Sequence, residues 1–133
     1  MRYADWRQHL VAYLADAARR PFAQGTHDCA LFLAGGVLAM TGQDYAARYR
    51  GRYTTTRGGL RILRKDGFET HVALAAHYLP DLPVALAREG DAAVVPTGDG
   101  PALGIVQGEG IYVLGPGGMG VVPLTTAFRA FEV

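Results

Sequence analysis

The chain predicts an α+β fold with helices first and an antiparallel sheet second, and two observations carry that prediction. Up to about residue 80, apolar residues recur at helical spacing within alanine- and arginine-rich segments. From Gly90 the character turns β-branched, in short runs separated by glycine-rich breaks too brief to hold a crossover helix. At 133 residues, 50% of them hydrophobic, the chain fits a single domain with one sizeable core. Its helical part covers 1–80 and its sheet part 90–133.

Asp5 to Arg19 predicts an amphipathic helix. Asp5 with Gln8 resembles a capping box, and Trp6, Leu10, Val11 and Leu14 form the apolar stripe, with Pro21 as the stop. His9 falls on that helix as a surface or half-buried residue. The run Ala30 to Met40 is apolar on every face and carries no charge before Gln43-Asp44. A helix of that kind belongs in the middle of a domain. Asp28 is its N-cap, Gly42 its C′ residue, and Cys29 stands in its first turn.

Beyond it, Asp44 to Arg50 reads as a short helical turn and Gly51 to Thr56 as a connector. Thr56 caps a predicted helix over Arg57 to Lys65, closed by Gly67. Glu69 to Tyr78 predicts another short helix, on which His71 and His77 read as surface residues. Leu79 to Pro83, with two prolines, reads as an extended connection. Strands are predicted over Ala92–Val95, Leu103–Gln107, Ile111–Leu114 and Val121–Leu124, with a fifth over Arg129–Val133. Phe128 and Phe131 read as completing the domain's own core rather than as a docking segment. Gly115, Gly117 and Gly120 satisfy G-x-G-x-x-G, but Val121-Val122-Pro123 cannot open the helix that a dinucleotide site requires. The motif reads as a hairpin turn.

Composition narrows the function classes. A net charge of +1 gives no electrostatic basis for nucleic acid or an anionic membrane as partner. The arginines at 19–20 and from 48 to 64 read as solvated faces. A single cysteine without a CxxC excludes an internal disulfide and a thiolate zinc site, so no metal or cofactor is expected. The N-terminus lacks the apolar core of a signal peptide and no run reaches membrane-spanning length. Those features predict a chain made as a soluble cytoplasmic protein, without membrane insertion.

Cys29 supports two readings. Free cysteine is among the most buried residue types, which makes an inert core thiol the bland one. The other is a nucleophile, because unpaired N–H groups and the dipole at a helix N-terminus favour a thiolate. Cysteine at a helix start ahead of an antiparallel sheet is the arrangement of papain-like thiol hydrolases, in which a histidine base is held by a third polar group.

Phe22-x-x-Gly25-x-x-Asp28-Cys29, the long apolar helix ending at Gly42, Gly90-Asp91 opening a strand and Leu103-Gly104-Ile105-Val106 in the next strand resemble the NlpC-type papain-like peptidases. With His27 before Asp28-Cys29, Arg52-Tyr53 after the helix and a terminal Ala130-Phe131-x-Val133, the chain is similar to small proteins encoded among phage and prophage tail genes. The resemblance covers nearly the whole chain. It implies a papain-like NlpC-type fold, with the buried helix packed on the C-terminal sheet, and activity on peptidoglycan stem peptides or related amides.

The departures from the pattern bear on activity. The family histidine opens the strand matched by Leu103–Gln107, where this chain has Pro101-Ala102, so Ala102 marks a missing base. Phe22 stands where a tyrosine hydroxyl often helps to hold the oxyanion. His27 is the candidate replacement base or modulator of the thiol, and Gln24 is the candidate oxyanion donor. The expected function is therefore an NlpC-like component of a phage or phage-like tail with impaired or lost hydrolase activity. Its partners would be other tail-tip proteins and peptidoglycan. The alternative is an active stem-peptide endopeptidase or amidase using Cys29 with a relocated base.

Overall fold

A computed structural model describes residues 1–133. It contains four α-helices: α1 (Trp6–Arg19), α2 (Cys29–Thr41), α3 (Thr56–Lys65) and α4 (His71–Tyr78). A six-stranded antiparallel sheet follows, made of β1 (Asp81–Leu82), β2 (Ala92–Thr97), β3 (Gly100–Gln107), β4 (Gly110–Gly115), β5 (Gly118–Pro123) and β6 (Arg129–Phe131). Strands β2 to β5 form a meander, and β6 returns to pair with β2 on one edge and β1 on the other, giving the order β1-β6-β2-β3-β4-β5. The architecture is α+β, helices before sheet, as its residue patterns predict. The glycine-rich segment 115–120 is the β4–β5 hairpin, with Gly115 opposite Gly118.

The central helix is α2. Asp28 caps it, its side chain accepting from Leu31 N, and Gly42 ends it in a left-handed conformation (φ 82°). Phe32, Leu33 and Met40 of α2 are fully buried with Leu10 of α1 and Val94, Leu103 and Ile105 of the sheet in one core cluster. Two glycines on α2 permit this closeness. A Cβ on Gly35 would stand 2.3 Å from the Tyr13 hydroxyl, and one on Gly36 would stand 2.6 Å from Ile105 Cδ1. Tyr13 reaches over Gly35 and donates to the Phe32 carbonyl (2.7 Å). The alternate residues of the strands, Ala93, Val95, Ala102 and Val106, point to the opposite face and form a second cluster with Ile111. Ala87, Leu124 and Ala127 cover that face.

Several local expectations are corrected. Asp5 does not form a capping box, because its backbone (φ −100°, ψ 29°) is not extended and its carboxylate instead pairs with His9 (3.1 Å). Thr55 rather than Thr56 caps α3. Residues 44–50 form turns clasped by the Arg50–Asp44 ion pair instead of a helical turn. Within the predicted connector 79–83, Asp81-Leu82 pairs with β6 and adds a sixth strand. Phe131 is buried as predicted, but Phe128 is 58% exposed, because the strand that buries its neighbours begins one residue later.

The two chain ends meet at Asp91, which is 0% exposed. Arg2 donates to Asp91 (2.9 Å), to the Glu89 carbonyl (2.8 Å) and to the Val133 carbonyl (2.8 Å). Asp91 also accepts from Val133 N (3.0 Å) and Arg88 N (3.0 Å). A buried carboxylate deprived of its cation is costly, whereas the intact pair is held by a planar donor fork. Arg2→Ala is expected to lower stability by about 3 kcal/mol in urea unfolding, with an unchanged m-value. An unaltered midpoint would show that the clamp does not hold the ends.

Candidate active site

Cys29 is the first residue of α2, and its placement follows from the loop before it. Gly25 adopts φ +88° and lies so close to the Tyr53 backbone that an added Cβ would stand 1.8 Å from the Tyr53 carbonyl oxygen. Only glycine fits there. The turn brings Gly25 N to Asp28 Oδ2 (2.9 Å) while Asp28 Oδ1 accepts from Leu31 N (3.0 Å), and the Tyr53 hydroxyl donates to the same carboxylate. Asp28 thereby fixes the start of α2 from three directions. The Cys29 and Ala30 N–H groups have no backbone acceptor and act on the Cys29 sulfur instead.

The thiol opens into a cleft of about 580 Å³ between the helical part and the sheet. His71 faces it across that cleft, its Nε2 3.9 Å from Cys29 Sγ. The predicted surface position of His71 is corrected by this contact. Thr70 caps α4 through its hydroxyl, which accepts from Ala73 N, and so sets His71 at the first helical position, turned inward towards β3. Burial makes the imidazole less basic, while the negative charge of Asp28 and the Pro101 carbonyl of β3 act in the opposite sense. Burial likewise pushes the Cys29 thiol up, and the Leu103 N–H of β3 pulls it down. Both groups therefore rest neutral near pH 7, a thiol beside an imidazole.

His27 is not at the site in the way its sequence neighbourhood suggests. It is 3% exposed, and both ring nitrogens are committed: Nδ1 to Arg20 (2.9 Å) and Nε2 to the Ala17 carbonyl (2.9 Å). Arg20 can only donate, so Nδ1 accepts and Nε2 carries the proton. That imidazole ties the loop to the end of α1 and has no nitrogen free for Cys29. Gln24 lines the cleft near the thiol, as does Phe22. Ala102 lines it as well, and Cys29 packs against the cluster that contains it. The strand position thus holds no base, and the imidazole arrives from α4. His77, by contrast, is exposed, edge-on to Phe68 and Tyr78. The connector around Tyr53 and Thr56 and the hairpin Thr97–Pro101 both border the cleft.

The sequence carried a faint signal for His71. Thr70-His71 repeats the logic of Asp28-Cys29, a capping residue followed by a chemically active one at the first helical position. What hid it was the separation of 42 residues between the two.

The family model for DUF6950, a domain of unknown function, matches residues 1–133. The chain belongs to the DUF6950 family. A comparison with curated proteins gave no match. No group of three or more His, Cys, Asp or Glu side chains is arranged to hold a metal ion.

The two histidines near the thiol have separable roles. His27→Ala is expected to cost about 1–3 kcal/mol by leaving the buried Ala17 carbonyl without a donor. The rate at which iodoacetamide alkylates Cys29 in the folded variant should stay within about twofold of wild type, because neither His27 nitrogen contacts the sulfur. A collapse of alkylation without a loss of stability would reverse that assignment.

Proposed function

We propose that this protein is a cysteine hydrolase of the papain-like, NlpC type, with Cys29 as nucleophile and His71 as the relocated base. The observation that carries the proposal is the 3.9 Å approach of His71 Nε2 to Cys29 Sγ inside a cleft. The thiol at the start of an enclosed helix packed on an antiparallel sheet supports the papain-like reading of the fold. The small side chain of Ala102 is consistent with an imidazole supplied from the helical side rather than from the strand.

In this reading the imidazole takes the thiol proton as sulfur attacks the substrate carbonyl, and an S–C bond forms. The N–H groups of Cys29 and Ala30, which have no backbone acceptor and turn from the sulfur to the oxyanion as the S–C bond forms, and the Gln24 amide at the cleft wall are the donors available to it. Collapse of the tetrahedral intermediate breaks the C–N bond, and the imidazolium gives its proton to the leaving amine. Water then cleaves the thioester, with His71 accepting its proton. The Pro101 carbonyl orients and stabilises the imidazolium, a part that a polar side chain plays in the related enzymes. Because the pair rests neutral, proton transfer accompanies attack instead of preceding it.

A second reading has its own support. Burial disfavours the charged form of both Cys29 and His71, which fits a fold kept as a structural component of a phage or phage-like tail, docked on other tail-tip proteins, with hydrolysis lost. Turnover separates the two. Hydrolysis of peptidoglycan stem peptides or of an activated ester should depend on Cys29. His71→Ala should slow it by about 10²–10⁴-fold with little change in urea midpoint.

The pH dependence follows from the direction of the His71 shift. Its folded pKa lies below the ordinary value of 6.5, and the base works only when neutral. Activity is thus retained at neutral pH and falls as pH drops through the folded value, which lies below 6.5. Cys29, Asp28 and the Pro101 carbonyl are the groups that act on that imidazole. Wild-type rates in the His71→Ala variant would remove the dyad.

A further inference from the structure

The chain has 13 lysines and arginines, yet none of them borders the cleft. The charged side chains there are Asp28 and Asp99, both acidic. Asp28 is buried and its carboxylate is occupied by the donors of Gly25, Leu31 and Tyr53. Asp99 is exposed at the tip of the β2–β3 hairpin. The wall built by α3 and α4 is apolar, presenting Leu60, Leu63 and Leu74.

From this distribution we infer that the site accepts substrates whose acyl group is uncharged and apolar, and rejects those whose acyl group carries a carboxylate. The inference rests on the Cys29–His71 reading and deepens it. An acyl group attached to Sγ must lie in the same cleft as the sulfur, against either the leucine wall or the hairpin. A carboxylate there would lose water without gaining a cation. It would also stand in the field of Asp28 and Asp99, both of the same sign. An alkyl group in the same place meets leucine side chains and loses only unfavourable hydration. Selectivity of this kind comes from what the pocket lacks as much as from what it offers.

Cys29 Sγ displaces p-nitrophenolate from the ester as the thiol proton passes to His71 and then to solvent. Water, giving its proton to the neutral His71, later cleaves the thioester, and the carboxylic acid leaves as the thiol is restored. Two esters of matched length, p-nitrophenyl pentanoate and the p-nitrophenyl monoester of glutaric acid, differ chiefly by one terminal carboxylate. Rates are read as p-nitrophenolate release, with the rate of the Cys29→Ala variant subtracted.

Wild type is expected to prefer the neutral ester by about tenfold or more in kcat/KM. Leu60→Lys should narrow or invert that ratio by placing a cation on the apolar wall. Thr56→Arg, at an exposed position on the cleft rim, should act in the same direction should the lysine at 60 prevent folding. Equal rates for the two esters, or a preference for the acidic one, overturn the inference while Cys29-dependent turnover leaves the dyad standing. A preference unchanged in both folded variants also overturns it. Absence of Cys29-dependent turnover with either ester removes the dyad and the inference together, and is recognised by its equal effect on both.

Discussion

Everything at the site hangs on the Asp28 carboxylate. One oxygen caps α2 through Leu31 N, and the other gathers Gly25 N and the Tyr53 hydroxyl. Capping alone contributes about 1 kcal/mol. The larger consequence is geometric, because a single buried carboxylate joins three segments: the glycine turn, the first turn of α2 and the connector leading to α3. Burial and the hydrogen bond to Asp28 both hold the Tyr53 hydroxyl protonated, so it stays a donor. The sulfur of Cys29 is aimed by the same arrangement that starts its helix. The negative charge of Asp28 also favours the protonated form of His71, so it acts electrically across the cleft as well as mechanically.

The thiol and the imidazole come from opposite walls of the cleft. Cys29 comes from the most enclosed helix of the domain, while His71 comes from a short helix of eight residues whose start is set by Thr70. The sheet contributes backbone groups: the Pro101 carbonyl to the imidazole and the Leu103 N–H to the sulfur. The strand thus acts on both groups through its backbone rather than through a side chain. Backbone donors and acceptors are held by the pairing of β3 with β2 and β4, which makes them rigid partners.

Burial sets the character of the site in two linked ways. It favours the neutral forms of sulfur and imidazole. It also surrounds them with leucine and tyrosine side chains and excludes the arginines, which point to solvent or are engaged elsewhere. Arg50, just ahead of the connector that carries Tyr53, is held by Asp44, and Arg20 is turned to His27. The opposite pole of the domain is organised by the Arg2–Asp91 clamp, which ties both termini to the first long strand. The cleft therefore lies within a frame whose ends are fixed.

Local rules determined much of this protein in advance. The unbroken apolar run 30–40, its aspartate cap and its closing glycine specify α2, and the spacing of glycine breaks specifies the β2–β5 meander. These features depend on near neighbours, so they can be read along the chain. Tertiary structure decided which imidazole meets the sulfur. His27, two residues away, is drawn off by the Ala17 carbonyl and Arg20 at the end of α1, partners that only the packed fold brings within reach. His71, 42 residues away, is delivered by the docking of α4 onto β3, a contact with no local periodicity to announce it. Helical and strand patterns fix backbone conformation, whereas the meeting of two side chains depends on how finished elements stack.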